Sequence, residues 1–361
     1  MSGRIQLALL LVLLAPRPAA AQETAGVRAA AALLGPLVET YGVSGMEGPV
    51  REAVRQRLPA WAHAETDTAG NLLVQAGTGA PLVVFVAHMD EIGFAVTAVR
   101  DDGTLDLRTR GGFFSSLYEG RPALVHTARG VVPGVFAPRD SGAATRTPPP
   151  LHVDLGTGSR AATEALGVGP GNTVTMPKSF ARLAGTRATG RSFDDRVGVT
   201  AQLLALGRLD PRHLRHAVLF VFSVREEVGL EGAQAVAARL GLGVARVHAI
   251  DTFVSADAPL EPKAYAVAPL GEGAVARALD NSAATPPAYV DSLVSLALRR
   301  NIALQVGTTD GGNDGSTFAA FGAPDVAIGW PLRYAHSPAE VIDLRDVASL
   351  ADLIVAVAEE W

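Results

Sequence analysis

The sequence predicts an α/β fold: a mixed sheet with helices on both faces, interrupted by an inserted β-rich domain. Two patterns predict it. From Ser192 onward, helical stretches at 196–209, 233–240, 289–300 and 344–360 alternate with apolar runs at 217–223, 247–250, 302–306 and 326–328. Alternation of this kind builds a layered sheet covered by helices. Between 93 and 185 the texture differs. Short β-type runs at 94–99, 104–109, 123–127, 130–136, 151–154 and 173–176 are separated by turns, which is the pattern of a small barrel or sandwich.

The N-terminal part completes the sheet domain. Residues 25–41 are rich in Ala and Leu and read as a helix. Val43-Ser44-Gly45-Met46-Glu47-Gly48-Pro49 is a turn leading into a second helix that ends near Leu58, and strands follow at 72–75 and 82–87. The expected organisation is therefore an α/β domain made of 22–92 and 186–361, with 93–185 inserted into it. The Pro-rich stretch 145–150 reads as a surface loop of the insertion.

Composition narrows the function. The chain has 361 residues, 48% of them hydrophobic and 19% charged, so a packed core is expected and disorder is not. A formal charge of −5 without a basic block argues against nucleic acid as a partner. There is no cysteine, which excludes disulfides, thiolate zinc sites, iron–sulfur clusters and cysteine nucleophiles.

The first residues read as an export signal rather than as part of the fold. Arg4 supplies a positive start, 5–15 is an apolar run, and Ala19-Ala20-Ala21 is a small-residue cleavage pattern ahead of Gln22. The run is shorter than the roughly 20 apolar residues that span a membrane. The expectation is a signal peptide at 1–21, a mature protein beginning at Gln22, a periplasmic or extracellular location and no membrane anchor. Cleavage removes Arg4 and Arg17 and no acid, taking the formal charge from −5 to −7.

The chemistry lies in five short stretches that place metal-binding residue types after an apolar run or at a turn. They are Val83-Val84-Phe85-Val86-Ala87-His88-Met89-Asp90, Ser192-Phe193-Asp194-Asp195-Arg196, Leu219-Phe220-Val221-Phe222-Ser223-Val224-Arg225-Glu226-Glu227, Val247-His248-Ala249-Ile250-Asp251 and Tyr334-Ala335-His336-Ser337-Pro338. Open α/β sheets bind ligands outside the carboxyl ends of their strands. His88, the Glu226/Glu227 pair and Asp251 are expected just beyond such ends, Asp194 at the start of the 196–209 helix, and His336 in a loop after 326–328. Two histidines with several carboxylates suit a pair of divalent metal ions, Zn²⁺ first and Co²⁺ or Mn²⁺ as alternatives. A short aspartate suits a bridge between two ions. Asp90, two residues from His88, is placed to orient that imidazole. Adjacent Glu226 and Glu227 allow one to bind metal while the other serves as general base. Asp195 is a candidate helix cap. Asp257, Asp310 and Asp314 read as loop polar groups, although Asp310 and Glu340 are candidates to attract a substrate amine.

Taken together, His88-Met89-Asp90-Glu91-Ile92-Gly93-Phe94, Phe193-Asp194-Asp195-Arg196-Val197-Gly198, Glu226-Glu227-Val228-Gly229-Leu230 and Tyr334-Ala335-His336-Ser337-Pro338 resemble the motifs of the M42 family of dinuclear metallo-aminopeptidases. That family includes deblocking, glutamyl and tetrahedral TET aminopeptidases, and the resemblance runs from about Leu34 to the C-terminus. It implies the fold shared with the M20 and M28 peptidases, with a PDZ-like or barrel-like insertion used in homo-oligomeric assembly. It implies two metal ions per chain, with His88, Asp194 and Asp251 on one and Asp194, Glu227 and His336 on the other. It makes Glu226 the general base and Asp90 the residue that orients His88. Peptides would be the substrates, cut from the N-terminus. Other dinuclear hydrolases of the same clan, N-acyl deacylases or carboxypeptidases, share the chemistry and are the alternative.

Overall fold

The computed structural model describes residues 23–139, 149–258 and 267–360. The expected export segment 1–21 and most of the Pro-rich 145–150 loop lie outside the described residues. The chain enters through α1 (Ala25–Glu39) and α2 (Gly48–Arg55), then forms β1 (Ala64–Thr66), β2 (Leu72–Ala76) and β3 (Leu82–His88). The insertion holds β4 (Gly93–Val99), β5 (Leu105–Arg110), β6 (Pro122–Thr127), β7 (Gly130–Phe136), β8 (His152–Asp154), α3 (Arg160–Ala165) and β9 (Thr173–Thr175). After β10 (Ala181–Arg182) and β11 (Arg187–Gly190), the sheet domain resumes with α4 (Phe193–Leu206), β12 (Ala217–Ser223), α5 (Glu231–Leu240) and β13 (Val244–Val254). It ends with β14 (Ala274–Leu279), α6 (Pro287–Arg300), β15 (Leu304–Thr308), β16 (Ile328–Leu332), β17 (Glu340–Asp343) and α7 (Leu344–Glu360).

The main sheet has eight strands in the order β1-β2-β12-β3-β13-β16-β14-β15. Its centre, β12-β3-β13-β16, is parallel. Central strands covered on both faces lose the polar alternation of a half-exposed strand. Accordingly, Val83, Phe85 and Ala87 of β3 enter the core built with α1, α4 and α7, while Val84 and Val86 enter the opposite core with α5. β12 divides in the same way, Phe220 and Phe222 to one side and Leu219 and Val221 to the other. α1 is capped by Thr24, whose Oγ1 accepts from Val27 N–H, and buries Val27, Ala30, Leu34, Leu37 and Val38 at helical spacing.

The insertion closes into a six-stranded barrel, β4-β5-β8-β7-β6-β9, so the barrel alternative is the one realised. Closure removes strand edges. Its interior is aromatic, with Phe94, Tyr118 and Phe136 packed ring against ring.

Some expected element bounds shift. The expected strand at 247–250 is the middle of β13, which runs to Val254, so Asp251 lies inside a strand rather than beyond its end. β3 stops pairing with β13 at Ala249, but β16 continues from Ile250 to Val254 and keeps the backbone extended. The expected 196–209 helix begins at Phe193 and ends at Leu206, yet Asp194 and Asp195 have non-helical backbone angles, so regular helix starts after them.

Barrel and sheet are joined through one buried carboxylate. Glu91 sits between the end of β3 and the start of β4. Its Oε1 accepts from Lys178 Nζ (2.8 Å), just past β9, and from Gly42 N–H (2.7 Å). Its Oε2 accepts from Arg191 Nη2 (2.5 Å) and Ser192 Oγ (2.5 Å). Arg196 Nη2 lies 3.5 Å from Oε1. Burial opposes the charge, but the Lys178, Arg191 and Arg196 cations outweigh it and hold the carboxyl well below the usual carboxylate range. Removing one partner of a buried ionic cluster costs about 3–5 kcal/mol. Glu91→Gln is therefore expected to lower unfolding free energy by about that amount in denaturant titration. A group with a depressed folded-state pKa stabilises fully above its unfolded value and loses that contribution as pH falls through the folded one. The gap between wild type and variant should thus be constant above about pH 5 and close only in strong acid.

Candidate metal centre and active-site cleft

Of the six residues expected as metal ligands or general base, five line one cleft at the carboxyl ends of β3, β12 and β13. The cleft has a volume of about 670 Å³, and Asp194, Glu226, Glu227, Asp251 and His336 are on its wall. His88 is the last residue of β3 and is buried at its base. Asp194 stands between the two imidazoles, with Oδ1 3.1 Å from His88 Nε2 and Oδ2 3.3 Å from His336 Nε2. Glu227 Oε1 lies 3.2 Å from His336 Nε2 without a hydrogen bond of proper geometry. Donor atoms of His88, Asp194 and Glu227 all fall within 4.8 Å of one another. Glu226 Oε2 is 3.8 Å from His88 Nε2. Asp251 is further out, with Oδ2 3.6 Å from Arg277 Nη1 and Oδ1 accepting from Thr252 N–H.

Each side chain is held from behind. Asp195 Oδ1 accepts from Gly198 N–H (2.8 Å), the helix-cap contact expected of it, and its Oδ2 accepts from His88 N–H (3.0 Å). Asp90 Oδ1 lies 3.4 Å from His88 Nδ1, on the side away from Asp194. Asp90 also does something the sequence did not reveal. It accepts from the N–H groups of Glu226 (3.0 Å) and Glu227 (3.2 Å) and from Ser44 Oγ (2.6 Å). One carboxylate thus sets both the imidazole and the turn that carries the glutamate pair.

His336 has a partner from the barrel. Its Nδ1 donates to Gly112 O at 2.6 Å, which leaves Nε2 facing Asp194 and Glu227. The preceding Gly111 has φ +96°, and a Cβ there would sit 2.5 Å from Ile92 Cγ2 and 3.2 Å from Glu227 Oε2, so only glycine fits.

The electrostatics suit cations. Burial works against charge on His88, but Asp194, Asp90 and Glu226 raise its pKa well above the ordinary value. Burial likewise opposes charge on His336, and Glu227 and Asp194 raise it. For Asp194 the two imidazoles overcome burial and pull the carboxyl down. Burial, with the neighbouring carboxylates, pushes Glu226 well up. It pushes Asp251 up to about 7 even though Arg277 offsets part of the effect. Four carboxylates and two imidazoles, faced by the single guanidinium of Arg277, are a donor set that divalent cations would satisfy, with metal charge in place of protons.

Five other charged residues were not foreseen or were read from the sequence as loop or amine-binding groups. Glu340, a candidate for a substrate amine, faces away from the cleft. It accepts from Phe193 N–H (2.7 Å) and His336 N–H (3.1 Å) and is almost fully buried, so it supports the site from below. Arg277 was not singled out. It is buried, donates to Thr252 O (2.8 Å) and Gly312 O (3.1 Å), and ion-pairs with Asp280 (3.0 Å). Nothing in its local sequence marks it, because apart from Asp280 its partners come from distant segments. Asp314 is a buried carboxylate that accepts from the Ser223 hydroxyl, and Asp257 is paired with Arg333. Asp310 does reach the cleft wall.

The chain matches the M42 glutamyl aminopeptidase family model over residues 70–353. It is 30% identical to FrvX of Escherichia coli (strain K12) over 334 residues, covering 89% of this chain and 93% of that protein. Among solved structures it is similar to the TET1 peptidase of Pyrococcus horikoshii, at TM-score 0.84 and 34% identity, covering 92% of this chain and 100% of that one. That protein assembles into a tetrahedron or a large octahedral shell. It is also similar to the aminopeptidase APDkam598 of Desulfurococcus kamchatkensis, at TM-score 0.84 and 29% identity over 93% of this chain and 96% of that one.

Because Asp90 holds both His88 and the Glu226–Glu227 turn, Asp90→Asn is expected to weaken divalent-metal affinity about 10–100-fold with the fold intact. Competition titration with a chelating dye, alongside circular dichroism, measures this. Unchanged affinity would remove Asp90 from that role.

Proposed function

Because the chain belongs to the M42 peptidase family and is thereby a metal-dependent aminopeptidase, we propose that its cleft works with two divalent cations, with Glu226 as general base. The observation that carries this reading is the position of Asp194, one carboxylate oxygen toward each imidazole, the arrangement of a bridging ligand. In this reading His88, Asp194 and Asp251 hold one ion, and Asp194, Glu227 and His336 hold the other. Zinc suits the nitrogen and oxygen donors, and cobalt or manganese suits them as well. Such ions, when bound, polarise the scissile carbonyl and supply a strong nucleophile from water at neutral pH.

The protein's own groups do the rest. Glu226, whose pKa burial raises, takes the proton of the attacking water and returns it to the departing amine. Asp90 fixes the Glu226 backbone, so the base is held rather than mobile. The free α-amine of a peptide is attracted by the carboxylate-rich wall, to which Asp251 and Asp310 contribute. Gly112 O sets the ring plane of His336.

We also propose that the chain is exported and cleaved near Ala21, from the charged start, apolar run and small residues at its N-terminus. No helix among the described residues is long and apolar enough to cross a membrane. Homo-oligomeric assembly is proposed from the assembly of the Pyrococcus horikoshii TET1 peptidase.

Two measurements test the mechanism. Glu226→Gln is expected to lower turnover about 10²–10⁴-fold while two metal equivalents stay bound, whereas Glu227→Ala loses one equivalent. Identical behaviour of the two variants by turnover and elemental analysis would overturn the division of roles. A second test compares one peptide with a free and an N-acetylated N-terminus. Losing a buried polar contact costs about 1–3 kcal/mol, so the blocked peptide is expected to react about 10–100-fold more slowly. Equal cleavage would favour a deacylase, and release from the C-terminus a carboxypeptidase.

A further inference from the structure

We propose that the barrel loop from Gly111 to Tyr118 forms one wall of the pocket for the substrate's first side chain and selects peptides whose N-terminal residue is neutral and apolar. The inference rests on the aminopeptidase reading. Its first support is the loop itself. Gly112 O is tied to His336 Nδ1, Phe113 packs edge-on against Phe94 and lies against Tyr118, and Tyr118 is fully buried in the barrel core. Between these anchors Phe114 is 79% exposed and Leu117 41% exposed, and both line the cleft. A loop pinned at both ends that offers two unpacked apolar side chains beside a metal centre is built to receive an apolar group.

Other parts of the cleft lining have the same character. Leu230 and Val254 line the cleft from the segments before α5 and at the end of β13. Leu230 has φ +59°, a left-handed backbone conformation that L-side chains other than Asn and Asp rarely adopt. A bulky apolar side chain kept at such a position points to a use for the side chain itself.

Charge on the lining supports the same selection. Among the described residues, Arg277 is the one Lys or Arg on the cleft wall. Its guanidinium already faces Asp251 and Asp280 and donates to Thr252 O and Gly312 O. An acidic first side chain therefore finds no unpaired Lys or Arg among the described lining residues. A lysine side chain would lay its ammonium beside the apolar wall, where desolvation opposes it.

The test is a panel of aminoacyl-p-nitroanilides on metal-loaded full-length enzyme, with calorimetric binding of free L-leucine, L-phenylalanine, L-lysine and L-glutamate as a readout independent of turnover. The expected kcat/KM order is Leu and Phe first, Ala and Lys next, Glu last. The Leu-to-Ala ratio should be about 10-fold or more, since even one methylene well packed in an apolar pocket is worth about that. Amino-acid binding should follow the same order. In Phe114→Ala and Leu117→Ala the Leu-to-Ala ratio should collapse toward one while metal content is unchanged. Glu or Lys substrates cleaved best, or a Leu-to-Ala ratio untouched by both variants, would overturn the inference and leave the aminopeptidase reading standing. Failure to cleave any free-amine substrate would overturn that reading, and the inference with it.

Discussion

The buried Glu91 cluster is the interaction on which the arrangement of this protein depends. The carboxylate lies where the chain leaves β3 for the barrel, and the groups bonded to it come from the other end of that excursion. Lys178 follows the barrel, and Arg191, Ser192 and Arg196 lead into and through the start of α4. A β-domain inserted between two strands of a sheet is tethered at two nearby points and would otherwise pivot. Charged groups out of water attract strongly only when their geometry and hydrogen bonds are satisfied. Here the backbone of Gly42 and the Ser192 hydroxyl complete the set. The cluster lies beside the residues that position His88 and Asp194, so the same contacts orient the barrel and stiffen the floor of the cleft.

Above that floor the organisation is one of shared supports. Asp90 serves the imidazole of His88 and the backbone of both glutamates. Asp195 caps α4 and anchors the His88 backbone. Glu340 ties His336 to Phe193. Preorganisation of this type fixes donor geometry before a ligand arrives.

Much of this was legible in the sequence, for identifiable reasons. Apolar runs such as 217–223 mark fully buried strands, and turn-punctuated short runs mark the barrel. His88, Asp194, Glu226, Glu227, Asp251 and His336 stand out because ionisable residues beside apolar runs demand a reason, and the structure gathers them around one cleft. What escaped depends on tertiary contacts. Asp251 was read as lying beyond a strand because the support of β16 cannot be seen in local pattern. Glu340, a candidate in sequence to attract a substrate amine, instead has its oxygens taken by the backbone N–H groups of Phe193 and His336. Glu91 and Arg277 passed as ordinary charges in sequence, since burial and long-range pairing give them their roles.

The hydrogen bond from His336 to Gly112 O makes the inserted barrel something other than an accessory. A separable module can be deleted, exchanged or swung aside with the rest left working. Here the module furnishes an atom that aligns one of the principal nitrogens of the centre. A displacement of the barrel loop is felt at the imidazole through this short bond. The insertion is thereby constrained to move with the sheet it interrupts.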